Sequence, residues 1–180
     1  MFEMGLALPA DLDAILDLYR EAQAWLKSKG LGQWQPAGVS QVQHLKQVRE
    51  RIERAILTGT CYVARQDSRV VATLTLDEFA DPEFWAPEDR PEEALYVHRM
   101  IVSRQAAGRD TGKALLDWAA AEAARQGKRW LRLDAWQTNH ALHRYYVRQG
   151  FRHVRTMNYG HRGSGALFER EVGEVSSYRS

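Results

Sequence analysis

Gly108 and Gly112 bracket a short stretch, Gly108-Arg109-Asp110-Thr111-Gly112, that opens an alanine-rich helical pattern. Glycines let a backbone turn tightly, so successive N–H groups can converge on an anion, and the following helix adds the positive end of its dipole. Arg109 and Lys113 add side-chain charge at the same place. The combination suits a diphosphate. It equally suits a plain helix N-terminus with Asp110 as the acidic first-turn residue. Other groups could handle protons. Strand alternation puts His98 on one face with Tyr96, while Tyr145 and Tyr146 are adjacent on one helix, so only one faces a given wall. Asn139 reads as a helix N-cap. His140 and His143 sit at i, i+3, but two imidazoles without a third ligand do not make a metal site, so no metal is expected. The single cysteine, Cys61, lies in a strand-like run, cannot form an internal disulfide and reads as a buried structural thiol in a reducing cytoplasm.

These residues need elements to position them. A strand near residues 3–8 is followed by Pro9 and Asp11, which suit the first turn of a helix ending at Gly30. Ser40 with Gln43 reads as a capping box for a second helix with an apolar stripe of Val42, Leu45, Val48, Ile52 and Ile56. From Thr60 the period changes to two, and residues 61–65 and 70–76 flank Gln66-Asp67-Ser68-Arg69 as a hairpin. The acidic stretch 77–93 follows, then a strand over 95–102, the glycine loop, and a helix over 113–126 closed by Gly127. A strand over 130–136, a helix over 139–149 closed by Gly150, and strands over 151–156 and 166–171 complete the pattern. The Ser-rich tail at 173–180 is expected to fray. The order β-α-α-β-β-β-α-β-α-β-β is mixed α/β.

At 180 residues the chain suits one domain over 1–180, and 44% apolar with 27% charged residues is ordinary globular composition. No apolar run is long enough to span a bilayer, and residues 1–10 lack the basic start and cleavage site of a secretory signal. The net charge of +2 hides an acidic stretch at 77–93 and a basic second half. That distribution suits an anionic cofactor and a cationic acceptor better than a single nucleic acid.

Over residues 95–154 the chain resembles the GNAT superfamily of N-acetyltransferases. Three signatures carry the resemblance in order and register. An apolar strand ends in Met100-Ile101-Val102 before a loop ending at Gly112; a strand, Leu131-Arg132-Leu133-Asp134-Ala135-Trp136, leads to Asn139; and Tyr146 precedes Gly150-Phe151. The resemblance implies an α/β (α+β) fold with a mixed central sheet of about seven strands, splayed between the fourth and fifth, flanked by about four helices. It implies acetyl-CoA as acyl donor, gripped by Ala107, Gly108, Arg109, Asp110, Thr111, Gly112 and Lys113. The backbone of Met100, Ile101 and Val102 would hold the pantetheine arm and polarise the thioester carbonyl, and Asn139 would touch the arm. The family's loop starts with Arg or Gln and has a central Gly where this chain has Ala107 and Asp110, so the donor stays open between acetyl-CoA, another acyl-CoA and an aminoacyl-tRNA. Tyr146 would protonate the departing thiolate. His98, Asp134 or a relayed water would deprotonate the acceptor. Trp34, Trp85, Tyr96 and Trp136, together with Trp25, lie where the family builds its acceptor pocket.

The expected reaction is direct transfer of acetyl to a primary amine of a small cationic acceptor in a ternary complex. Alternatives are acetylation of a peptide or protein, use or modification of an aminoacyl-tRNA, and a degenerate CoA-binding interaction domain. The family also implies a homodimer as an option.

Overall fold

The structure is a computed structural model describing residues 2–173; the expected fraying beyond residue 173 lies outside the described residues. Among the described residues seven strands and four α-helices form where the hydrophobic periods require: β1 (Glu3–Leu6), α1 (Leu12–Ser28), α2 (Gln41–Leu57), β2 (Cys61–Gln66), β3 (Arg69–Asp77), β4 (Ala94–Val102), α3 (Thr111–Arg125), β5 (Trp130–Trp136), α4 (His140–Arg148), β6 (Arg152–Thr156) and β7 (Ser164–Glu171). The strands form one mixed sheet in the order β1-β2-β3-β4-β5-β7-β6. Among the described residues no helix is long and apolar enough to cross a membrane.

Two compact units are distinguished: the chain up to Leu76 with Arg99–Gly112, and Asp77–His98 with the chain from Lys113 onward. In the first, β1, β2 and β3 are antiparallel neighbours. The β2–β3 turn has Asp67 and Ser68 at φ 49° and 65°, the pair of positive values that lets a two-residue turn follow strand twist. The expected capping box is present: Gln43 N–H donates to Ser40 Oγ at 3.2 Å, and Ser40 N–H donates to Gln43 Oε1 at 3.1 Å. Leu12, Ile15, Leu16 and Tyr19 of α1 share a core with Val48, Ile52 and Ile56 of α2 and with Val63. Val42, expected in the α2 stripe, is instead exposed, because it lies in the first turn, ahead of the buried positions. Cys61 is buried beside Thr73, and burial pushes its thiol up, as a structural cysteine requires.

In the second unit β5 pairs antiparallel with β7, and β7 with β6. The parallel β4–β5 ladder runs from Ala94↔Trp130 to Val97↔Leu133, while β4 itself continues to Val102. The ladder's early end is the expected splay of the fourth and fifth strands. Arg99, just after the ladder, takes φ 48°, a left-handed step that bends an otherwise extended strand.

The acidic stretch is not the open, solvated loop that composition suggests. Two 3-10 turns, Pro87–Asp89 and Pro91–Glu93, shape it, and Phe84 and Trp85 sink into a core with Ala94, Tyr96 and Leu167. Beneath them Arg132 and Glu169, each 3% exposed, form an ion pair. Arg132 Nε donates to Glu169 Oε2 at 2.9 Å, its other nitrogens donate to Tyr96 Oη and the Asp89 carbonyl, and its guanidinium lies 4.6 Å from the Trp85 ring centre. A buried charge with each guanidinium nitrogen engaged is the arrangement that desolvation demands.

Candidate active site

The first unit carries the glycine loop. Ala106 and Ala107 N–H both donate to the Ser103 carbonyl, at 3.0 and 2.9 Å, and Thr111 Oγ1 donates to the Ala106 carbonyl at 3.1 Å. These local bonds fold the segment back so that α3 can start at Thr111, whose first-turn N–H groups have no intrahelical carbonyl to bond. Gly108 takes φ 76° and Asp110 takes φ 57°. The second value explains the departure from the family pattern. The position needs a left-handed residue, and aspartate is among the few side chains that tolerate that region. Asp110 and Arg109 are exposed. Just before the loop, Ile101 packs into the core shared by α1 and α2, whereas Met100 and Val102 are half-buried, as alternation requires. Lys113 falls in the second unit, where its ammonium donates to Asp117 at 2.5 Å across one helical turn.

The second unit holds the proton-handling groups. His98 Nε2 lies 3.0 Å from Asp77 Oδ1, with both side chains about a quarter exposed (22% and 25%). A carboxylate oxygen accepts, so this contact places the proton on Nε2 in the neutral ring and leaves Nδ1 as a lone-pair site. The Phe79 ring sits 6.4 Å from His98, tilted. Asp134, on β5, has its carboxyl pushed up by burial, an effect opposed by the nearby His98 and by a hydrogen bond with Ser164. Asp77 thus touches the imidazole directly, and the same imidazole lies close enough to Asp134 to act on its carboxyl. Asp77 carries no local signal for this role; it reads as one more residue of the acidic stretch until β3 and β4 are aligned.

Tyr146 is buried, and burial drives its phenol well above the ordinary tyrosine value, with Tyr145 and Asp134 adding to the shift. The Gly-Phe pair that follows explains how its ring is held. Phe151 N–H donates to the Tyr146 carbonyl at 3.1 Å and Gly150 N–H to the Val147 carbonyl at 3.1 Å, with Gly150 at φ 83°. That is a Schellman closure, in which the residue after the glycine packs on the residue five positions back. The Phe151 and Tyr146 ring centres are 5.7 Å apart, and Phe168 adds a second wall at 5.8 Å. Asn139 serves as the expected N-cap, accepting from Leu142 N–H at 3.2 Å.

The residues expected around the acceptor divide. Trp136 remains half-buried at the end of β5, and its indole lies so close over Gly163 that a Cβ there would fall 2.1 Å from the ring. Trp34 is half-buried in the first unit, stacked on Tyr19 at 5.2 Å. Trp25 is exposed, with the Arg104 guanidinium 4.3 Å from its ring centre. Trp85 and Tyr96 are core residues instead. Arg132 and Arg155 lie against the Trp85 ring, and the Tyr96 hydroxyl donates to the Pro91 carbonyl at 3.0 Å. The resemblance placed both near the acceptor pocket, but long-range packing buries them.

The acidic stretch is likewise largely neutralised. Glu78 pairs with Lys128, Asp81 and Glu83 with Arg162, Asp89 with Arg155, and Glu93 with Arg90. Its charge holds the fold together, so composition there says little about an acceptor.

Comparison with known proteins agrees with this architecture. Residues 58–153 match the sequence profile of the acetyltransferase (GNAT) domain. The chain is 30% identical over 170 residues to a protein of Bacillus subtilis (strain 168) described as the uncharacterized N-acetyltransferase YesJ, covering 92% of this chain and 88% of that one. Among solved structures it superposes on a GNAT-family acetyltransferase from Listeria monocytogenes 4b F2365 with a TM-score of 0.74 and 26% identity, covering 94% of each chain. The PaiA N-acetyltransferase of Thermoplasma acidophilum, solved in complex with coenzyme A, shares the fold at a TM-score of 0.71 and 16% identity, over 95% of this chain and 99% of that one.

Proposed function

The chain belongs to the GNAT superfamily of acetyltransferases, and from that premise we propose that it transfers an acetyl group from acetyl-CoA to a primary amine of a small cationic acceptor, by direct attack in a ternary complex. The observation that carries the reading is the His98–Asp77 pair beside Asp134, in the same unit as a phenol held protonated at Tyr146. The chemistry needs one group that takes a proton and one that gives it.

Donor binding is assigned to the first unit. The left-handed steps at Gly108 and Asp110 and the start of α3 at Thr111 suit a diphosphate. Main-chain N–H groups of Met100, Ile101 and Val102 are assigned to the pantetheine arm and to the carbonyl oxygen on which negative charge develops. A coenzyme A complex of a protein with this fold supports coenzyme A as the carrier.

His98 Nδ1 accepts the proton that the acceptor's ammonium must lose before its nitrogen can attack. An ordinary alkyl ammonium holds that proton to about pH 10.4, so a base near the nitrogen removes a large part of the barrier. Asp77 fixes the tautomer and stabilises the imidazolium that forms. Asp134, whose carboxyl is biased toward its neutral form, does not compete for the role of base. Tyr146 donates its hydroxyl proton to the departing sulfur, whose thiol ordinarily titrates near 8.5. The carboxylate of Asp77, rather than the lysine- and arginine-paired carboxylates of the acidic stretch, is what favours a cationic acceptor. A cytoplasmic setting belongs to the same proposal and rests on the lone, buried Cys61.

Asp77→Asn tests the dyad, because it keeps the shape and removes the charge. The expected result is a fall in kcat by about 10²-fold or more, with the KM for acetyl-CoA unchanged; unchanged kcat would assign the proton to another group.

A further inference from the structure

We infer that the outer face of α4 forms a second ligand site, for an organic phosphate monoester, separate from the groups assigned to acetyl transfer. Residues 140, 143, 144, 147 and 148 recur at i, i+3, i+4, i+7 and i+8, so they share one helical face. On a helix packed inward that stripe would be apolar; here it holds His140, His143, Arg144 and Arg148 with Val147 as its one apolar member. It lines a cavity of about 770 Å³ that also takes in His153 and Phe168, and none of the described residues that line it is a carboxylate. That volume is within the range of small-molecule sites.

The pairing of the arginines is the decisive observation. Arg90, Arg125, Arg129, Arg132, Arg152, Arg155, Arg162 and Arg170, the other arginines of the second unit among the described residues, each pair with a carboxylate. Arg144 and Arg148 pair with none of the described residues, and both face the cavity. A guanidinium's planar fork matches phosphate oxygens with two parallel hydrogen bonds, so two unpaired forks on one wall suit a dianion. An apolar contact for the rest of the ligand is at hand. The Phe168 ring, itself buried, packs on His143 and His153, with ring centres at 5.5 and 5.3 Å, and steadies both imidazoles, while the exposed Val147 side chain offers apolar surface beside the charged wall. His143 Nε2 donates to the Trp136 carbonyl at 2.8 Å, which holds the imidazole in place. The histidines contribute as ring walls and donors.

Titration calorimetry of the full chain with phenyl phosphate tests the site. Saturable binding is expected, weakened at least tenfold in the Arg144→Gln, Arg148→Gln double variant and unaffected by saturating acetyl-CoA. Inorganic phosphate should bind more weakly than phenyl phosphate, because it leaves the exposed Val147 side chain uncovered. No saturable binding, or equal affinity in the double variant, would overturn the assignment. Competition by acetyl-CoA would also overturn it, by making the face part of the donor site. Thermal unfolding of the variant at the wild-type midpoint confirms that a lost signal is not a lost fold.

Discussion

Tyr146 can lose its hydroxyl without losing its place, because Phe151 and Phe168 grip the ring and the glycine closure of α4 grips the backbone. Tyr146→Phe should therefore fold normally and keep its thermal shift with acetyl-CoA, while kcat falls by roughly 10²- to 10⁴-fold, the usual share of a general acid. Full turnover in that variant would remove the phenol from the mechanism. Tyr146 was legible in the sequence because its spacing to Gly150-Phe151 is a local motif with a local cause. Asp77 was not, since its hydrogen bond to His98 spans 21 residues and depends on where β3 ends and β4 begins. Trp85 and Tyr96 show the converse. Residue type and rough location suggested a pocket wall, but only long-range packing shows that Arg132 and Arg155 occupy the face of Trp85.

Among the elements, the glycine loop and α3 carry the sharpest consequence. Asp110 holds a left-handed conformation that costs most side chains about 1–2 kcal/mol. Asp110→Gly removes that steric cost and a negative charge beside the assigned diphosphate position. Affinity for acetyl-CoA, measured by calorimetry, should rise severalfold with little change in the unfolding midpoint. Weaker binding would mean that the carboxylate helps the loop rather than opposing the donor. The elements themselves were almost fully readable, since hydrophobic period, the Ser40–Gln43 box, the positive-φ hairpin turn and helix-ending glycines are all local. The acidic stretch was not, because its order comes from partners far along the chain. Arg155 reaches Asp89 across 66 residues and Arg162 reaches Asp81 across 81.

Across the whole molecule, stability of the second unit centres on Arg132 and Glu169. Arg132→Ala leaves a buried carboxylate uncompensated and should lower unfolding free energy by about 3–5 kcal/mol in denaturant titration. A loss below about 1 kcal/mol would mean that water or Arg152 compensates Glu169. Acid should act through a neighbouring pair, Asp89 with Arg155. The Arg155 hydrogen bond holds the Asp89 carboxyl below the usual carboxylate range. A depressed folded-state pKa adds stability above the unfolded value, near about 3.9, and loses it as pH falls through the folded value. The unfolding midpoint should therefore drop below about pH 4, and Asp89→Asn should flatten that drop while lowering stability at neutral pH. These tests concern the scaffold. The chemistry is tested most directly by following free thiol release from acetyl-CoA across a panel of small primary amines, with His98→Gln and Tyr146→Phe run beside the wild type. The account predicts release that depends on one class of cationic amine and collapses in both variants. Release that ignores the amine, or that survives the loss of both groups, would contradict it.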